Sequence, residues 1–266
     1  MRLAIGVEYA GTAYSGWQRQ DSAPSVQGEL ERALGAVAAH PVEISCAGRT
    51  DGGVHALGQV AHFETAAVRP MRGWALGANT HLPPDVAVLW ATEVADDFHA
   101  RFSALARTYR YVILNRTTRP AVWRDRCCWW HPPLDAERMN EAAQAFVGKH
   151  DFSAFRAAEC QSRAPVRRLD RIAVNRDGDR VVLEVTANAF LHHMVRNLVG
   201  TLLEVGEGTR PVDWPAAVLA GRDRRAAGPT APAAGLYFLR VDYPARFGLP
   251  GLAAVAPVGA DAAFPL

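Results

Sequence analysis

Apolar and polar positions along the chain fall into short runs that predict an ordered series of elements. Residues 2–9 read as a first strand, followed by a glycine-containing loop over 11–20. Ser25 is placed to cap a helix of about fifteen residues, with Val26, Leu30, Ala33, Leu34 and Val37 on one face. Strands are predicted at 42–46, 58–64 and 86–94, and a helix around 74–79 ends before the break at Pro83-Pro84. Residues 107–115 alternate strongly and read as a strand leading into a second half. That half opens irregularly around Trp123, Trp129, Trp130 and Pro132-Pro133. A helix then runs from 134 to about 147. Strands near 169–176 and 180–187 flank Asp177-Gly178-Asp179, a hairpin signal. Residues 191–205 read as a helix ending near Gly206 and Gly208, with a short helix near 213–220 and a last strand over 236–242.

Each half repeats a strand, helix, strands, helix, strand order without sequence repetition. Two α+β domains with mainly antiparallel sheets are the economical architecture: 1–105, carrying the loop around Asp51, and 106–247. Residues 248–266, rich in Ala, Pro and Gly, read as a tail.

Composition narrows the class. At 49% hydrophobic and 21% charged, the chain has the balance of a soluble globular protein. No run of eighteen apolar residues offers a transmembrane helix, and the start of the chain reads as a strand and not a signal peptide. Cys46, Cys127, Cys128 and Cys160 form no zinc spacing and read as reduced thiols of a cytosolic protein. There is no phosphate-binding loop, dinucleotide fingerprint or nucleophile elbow, so cofactor-dependent and ATP-driven chemistry lack support. The net charge is +2, with Lys149 the sole lysine. Arg suits RNA through bidentate phosphate contacts and stacking, yet an Ala- and Gly-rich, Arg-for-Lys composition also follows from a GC-rich genome. Composition is therefore silent on nucleic acid.

Local strings carry more. Gly48-Arg49-Thr50-Asp51-Gly52-Gly53-Val54-His55-Ala56 sets one acid between an Arg and paired glycines. Such a loop presents a carboxylate to a bulky substrate, and a nearby Arg favours its ionised form. The plain alternative is an Asp-Gly turn with a surface Arg. Tyr109 and Tyr111 share one face of their strand, as ordinary half-buried aromatics or as a platform for a base. In Asn188-Ala189-Phe190-Leu191-His192-His193-Met194-Val195-Arg196-Asn197, two adjacent histidines on a helix would diverge by roughly 100°, which disfavours a shared metal ion. Arg196 on this mostly apolar helix needs an anionic partner, for which Asp51 is a candidate. Phe98-His99-Ala100-Arg101-Phe102 and Glu159-Cys160-Gln161-Ser162-Arg163, with Arg167 and Arg168 following, mix aromatics, amides and cations. They are either solvated loops or single-stranded RNA contacts.

Together with Gly11-Thr12, Tyr14, Gly16-Trp17-Gln18 and Gly235-Leu236-Tyr237, these strings make residues 2–243 resemble the tRNA pseudouridine synthase A family. Gly52 stands where that family usually has Ala. The resemblance implies the pseudouridine synthase fold: two RRM-like, ferredoxin-like α+β domains whose sheets join into one extended sheet around a central cleft. It also implies isomerisation of uridine to pseudouridine at positions 38, 39 and 40 of the tRNA anticodon stem-loop, by a cytoplasmic homodimer needing neither cofactor nor metal. On the family pattern Asp51 is the catalytic carboxylate, and Tyr109, Arg196 and Leu236 bind the uridine. Arg49, Arg69, Phe98, His99, Ala100, Arg101, Phe102, Glu159, Cys160, Gln161, Ser162 and Arg163 would contact RNA. Two other classes compete: a non-catalytic RNA-binding module, and a metal-dependent hydrolase using His192 and His193.

Overall fold

The computed structural model describes residues 1–162 and 164–250. It forms two compact units, Met1–Arg107 together with 237–250, and Thr108–Leu236. Ten strands, paired mainly antiparallel, and five α-helices occur among the described residues.

In the first unit β1 (Arg2–Tyr9) lies between β3 (His55–Glu64) and β4 (Val86–Val94), antiparallel to both. The two-residue β2 (Ser45–Cys46) also pairs with β3. Beyond β3, β10 (Leu236–Asp242) runs parallel to it, with Tyr237 opposite His55 and Phe238 opposite Ala56. Helix α1 (Val26–Ala38) starts where the Ser25 hydroxyl accepts from the Gly28 N–H, satisfying an otherwise orphaned donor. It buries Val26, Leu30, Ala33 and Leu34, and α2 (Met71–His81) buries Trp74 and Ala78. Phe63 meets Trp74 nearly edge-on at 5.3 Å, an arrangement that aromatic quadrupoles favour.

The second unit orders its strands β5-β9-β8-β7, with the three-residue β6 (Cys128–Trp130) parallel to β5 (Ala106–Asn115). Strands β8 (Val166–Asp177) and β9 (Arg180–Ala187) form the expected hairpin, and Gly178 takes φ +55° at its turn. Asp135 caps α3 (Ala136–Ala143), its carboxylate accepting from the N–H groups of Glu137 and Arg138. Helices α4 (Met194–Gly206) and α5 (Trp214–Gly221) follow; α4 is buried along nearly its whole length.

Several expectations are corrected. The strand anticipated over 42–46 is reduced to Ser45–Cys46. The helix expected to reach 147 leaves α geometry after Ala143 and tightens into a 3-10 turn, Gln144–Phe146. Strand β7 (Gly148–Asp151) was not foreseen, because Gly-Lys-His-Asp has no apolar alternation. Its backbone ladder to β8 holds it, and a short charged strand suits a sheet edge. Strand β5 is buried along almost its entire length, not on one face only. Its polar residues are satisfied internally: Thr108 bonds Thr186 at 2.9 Å, and Arg110 pairs with Glu184 at 2.5 Å. The tail reading falls almost wholly on 251–266, outside the described residues.

Candidate active site

The loop bearing Asp51 belongs to the first unit and is held mainly by its backbone. Asp51 bridges Gly16, the Trp17 N–H donates to the Thr50 carbonyl at 3.0 Å, and the Gly53 N–H donates to the Tyr14 carbonyl at 3.3 Å. This close approach needs glycine twice. Gly16 has φ +114° and a Cβ there would lie 2.8 Å from the Thr50 oxygen; Gly53 has φ +78°. Below the loop, Tyr9 and Thr50 share a buried hydroxyl–hydroxyl bond of 2.8 Å, and the Gln59 amide donates to the Gly48 carbonyl at 2.6 Å. Burial keeps the Tyr9 phenol protonated, well above its ordinary range. The Cys46 thiol is likewise pushed up to about 12 by burial, with the Arg49 charge acting against it. Asp51 is left half-buried and Arg49 exposed.

Gly52 behaves differently from its neighbours. It is not in the left-handed region, and a Cβ there would meet Tyr14 and Ser15 backbone atoms at 3.5 to 3.6 Å, ordinary contact. Gly52→Ala is therefore expected to raise stability by about 0.4–1 kcal/mol, by narrowing the unfolded ensemble. A denaturant midpoint that falls instead would show that the backbone at 52 demands glycine.

One residue not singled out from the sequence ties this loop to another. Arg107, buried in β5, donates to the carbonyls of Ala47 at 3.1 Å, Arg101 at 2.5 Å and Ala104 at 3.4 Å. A cation spread over three carbonyls joins the approach to Asp51 to the 101–104 segment. An arginine opening a strand carries no sequence signal for that role.

In the second unit Tyr109 is nearly buried, its ring edge-on to Phe190 at 4.9 Å. Arg196 is the third residue of α4; its Nε donates to the Ala231 carbonyl at 2.7 Å, and the Ala231 N–H donates back to the Arg196 carbonyl at 3.1 Å. Asn197 is a hub whose role the sequence did not reveal. Fully buried, it donates to the Phe155 carbonyl and accepts from Arg224 and Thr230 through Oδ1. The Tyr111 hydroxyl donates to the Pro232 carbonyl at 2.7 Å. These bonds strap 228–232 onto α4 and β5 just ahead of the buried Leu236.

The argument against a histidine pair is corrected. His192 and His193 precede α4, His193 has φ +60°, and their rings lie 4.0 Å apart instead of diverging. A left-handed, non-glycine residue is held there by its surroundings.

The proposed RNA-contact residues divide. Arg49, Arg69, Arg101, Phe102, Glu159 and Gln161 are exposed, and His99 and Ser162 are half-buried. Phe98 and Ala100 correct the expectation, for both side chains are fully buried: Phe98 packs against His62, Tyr243 and Phe247. Cys160 is buried too, its sulfur accepting the His192 N–H at 3.5 Å. Burial raises the Cys160 thiol, but the hydrogen bonds and Arg156 outweigh it and leave the thiol lowered. Arg163 lies outside the described residues. No helix among those residues is long and apolar enough to cross a membrane.

Comparison with known proteins places this geometry. Residues 5–103 and 142–244 match the family described as tRNA pseudouridine synthase; Tyr109 falls between the matched segments. A tRNA pseudouridine synthase A of Aeromonas hydrophila is 57% identical over 250 residues, covering 94% of this chain and 93% of the relative. Its namesake in Shewanella amazonensis is 56% identical over 252 residues, covering 95% and 97%. That of Enterobacter sp. is 55% identical over 249 residues, covering 94% and 92%. A solved Cbf5-Nop10-Gar1 complex is similar at a TM-score of 0.38 and 12% identity, over 76% of this chain and 45% of that one, too slight a likeness to bear on the fold. Near-complete coverage at such identity shows that the chain belongs to the tRNA pseudouridine synthase A family, isomerases that convert uridine in tRNA to pseudouridine.

Proposed function

We propose that this isomerase acts on the anticodon arm of tRNA, at uridines 38, 39 and 40 in tRNA numbering, with Asp51 as its essential carboxylate. The observation that carries the assignment is the Asp51 loop, whose backbone is fixed while its one acid stays half-exposed. In the reaction the N1–C1′ bond breaks, the uracil turns while still bound, and C5 bonds to C1′. N1 gains a proton and C5 loses one, so no oxidant or reductant is consumed. Asp51 acts ionised, by addition at C1′ or C6 or by removing the C2′ proton. To Arg196 falls a guanidinium that pairs with that carboxylate. Tyr109 stacks on the uracil and accepts the C5 proton, and Leu236 keeps water from the intermediate. The target uridine is extruded from its stack to reach the acid.

Arg49, Arg69 and Arg101, with the 159–162 loop, serve as the RNA-facing residues. A homodimer sharing one tRNA explains how a chain of net charge +2 holds a polyanion, since basic surface is then assembled locally. On this reading the enzyme works in the cytoplasm, on the tRNA pool there. Mass-spectrometric mapping of tRNA from a deletion strain tests the reading. Pseudouridine should vanish at 38–40 and return with the wild-type gene; unchanged modification there, or loss elsewhere alone, rejects the assigned positions.

A further inference from the structure

Between α5 and β10, the stretch from Arg222 to Gly235 contains two 3-10 turns, Arg224–Ala226 and Ala233–Gly235, and no α-helix or strand. Irregular backbone such as 227–232 keeps one shape against its conformational entropy only through bonds to its surroundings. Arg224 supplies four. Its Nη1 donates to the carbonyls of Gly228 at 2.8 Å and Ala227 at 3.4 Å. Its Nη2 donates to Asn197 Oδ1 at 3.0 Å and to the Thr230 hydroxyl at 3.1 Å. The Thr230 hydroxyl donates to the same Asn197 oxygen at 2.7 Å. One guanidinium fork thus gathers Ala227, Gly228 and Thr230 around a fully buried amide on α4. That amide is itself anchored, its Nδ2 donating to the Phe155 carbonyl at 2.8 Å.

The helix is shaped to receive the segment. A Cβ on Gly200 would sit 1.6 Å from the Pro229 oxygen, and one on Gly228 2.5 Å from the Gly200 oxygen, so two glycines let backbone lie on backbone. The Thr201 hydroxyl donates to the Asn197 carbonyl at 2.9 Å and accepts the Gly228 N–H at 3.0 Å. At the far end of the segment, Arg196 Nε donates to the Ala231 carbonyl at 2.7 Å, and the Tyr111 hydroxyl donates to that of Pro232 at 2.7 Å. Leu236 follows four residues later. Because a guanidinium is a planar, rigid fork, a bond at Nε also sets the direction of its two other nitrogens. The aim of Arg196 therefore depends on where the Ala231 carbonyl stands.

We propose that Arg224, acting through Asn197 and Thr230, is a positioning residue for the isomerisation. It clasps 227–232 onto α4, so that Arg196 and Leu236 present one fixed geometry to the uridine. This rests on the roles given above to Arg196 and Leu236. A misplacement of about 1 Å, set off by a change far from the chemistry, costs on the order of 100-fold in rate. Grip on an extended tRNA surface is spread over many contacts and is not altered by such a shift.

The test compares Arg224→Gln, Arg224→Lys, Thr230→Val and Arg196→Gln with wild type in single-turnover pseudouridine formation at saturating enzyme, with tRNA affinity across a salt series. Arg224→Gln should slow the isomerisation step by about 10- to 100-fold, with affinity within a few-fold of wild type and the salt slope unchanged. Arg224→Lys keeps the charge but not the fork, and should recover little of the rate. Thr230→Val removes one hydroxyl and should slow the same step less. In Arg224→Gln the acid side of the pH–rate profile should move to higher pH, as in Arg196→Gln, because a carboxylate whose cation is displaced protonates more readily. A fold merely loosened would lower the profile without moving it. A wild-type rate in Arg224→Gln, or a slower rate with an unmoved profile, overturns the clasp. So does a salt slope reduced by about one, which would make Arg224 a phosphate contact. If Arg224→Gln fails to fold, Thr230→Val, altering one exposed side chain, decides by the same criteria. If Arg196→Gln turns over like wild type, the role of Arg196 fails and the clasp with it; if Arg196→Gln is slow and Arg224→Gln is not, the clasp alone fails.

Discussion

Asp51→Asn is expected to lower pseudouridine formation by about 10⁴-fold or more, the scale of loss when an essential catalytic group is removed. Affinity for tRNA should stay within a few-fold of wild type. The separation is expected because the loop is held through backbone atoms: the Val54 N–H donates to the Asp51 carbonyl at 3.2 Å, and Asp51 bridges Gly16. Replacing the carboxylate by an amide of the same shape touches neither. Tritium release from C5-labelled tRNA reads turnover, and filter binding reads affinity. An Asn followed by Gly52 is prone to deamidate back to Asp, so Asp51→Ala is measured beside it. Turnover retained in Asp51→Ala would defeat the catalytic assignment and favour an RNA-binding module.

Glu184→Ala should destabilise the second unit by about 3–5 kcal/mol, the range for removing one partner of a buried ion pair. Arg110 and Glu184 face each other from β5 and β9, with side chains 6% and 13% exposed, and two guanidinium nitrogens donate to Glu184 Oε1. The loss comes chiefly from removing the carboxylate that faces the buried Arg110 charge. Arg110→Met combined with Glu184→Leu should therefore recover most of it, because apolar residues of similar volume leave no orphaned ion. Urea midpoints of the single and double variants decide this. A single variant within about 0.5 kcal/mol of wild type, the usual span for surface substitutions, would show that water reaches the pair. Arg225→Ala is the surface control: its side chain, paired with Asp223, is 91% exposed, and no measurable change is expected.

Signals local in the chain were the ones legible beforehand. Ser25 caps a helix because its oxygen reaches an N–H three residues on. Asp177-Gly178-Asp179 turns a hairpin because Gly178 can take positive φ. The strands at 2–9, 86–94 and 236–242 are where apolar content placed them. The string from Gly48 to Ala56 carried the family before any coordinates did.

What composition and spacing could not decide was which side chains face outward and which distant groups they meet. The run Phe98 to Phe102 reads as one RNA-facing segment, yet Phe98 and Ala100 enter the core while Phe102 stands in water. His192 and His193 looked divergent on a helix, but the chain bends before α4 begins and brings their rings together. Arg107, Arg110 and Asn197 meet partners far along the chain: Ala47, Glu184 and Phe155 lie 60, 74 and 42 residues away. Most element types and the glycine-dependent turns of the Asp51 loop were thus legible in the sequence alone, since caps, turns and periodicity act within a few residues. Burial and partnership were decided only by the tertiary structure, because both depend on which strands and helices pack together across long stretches of chain.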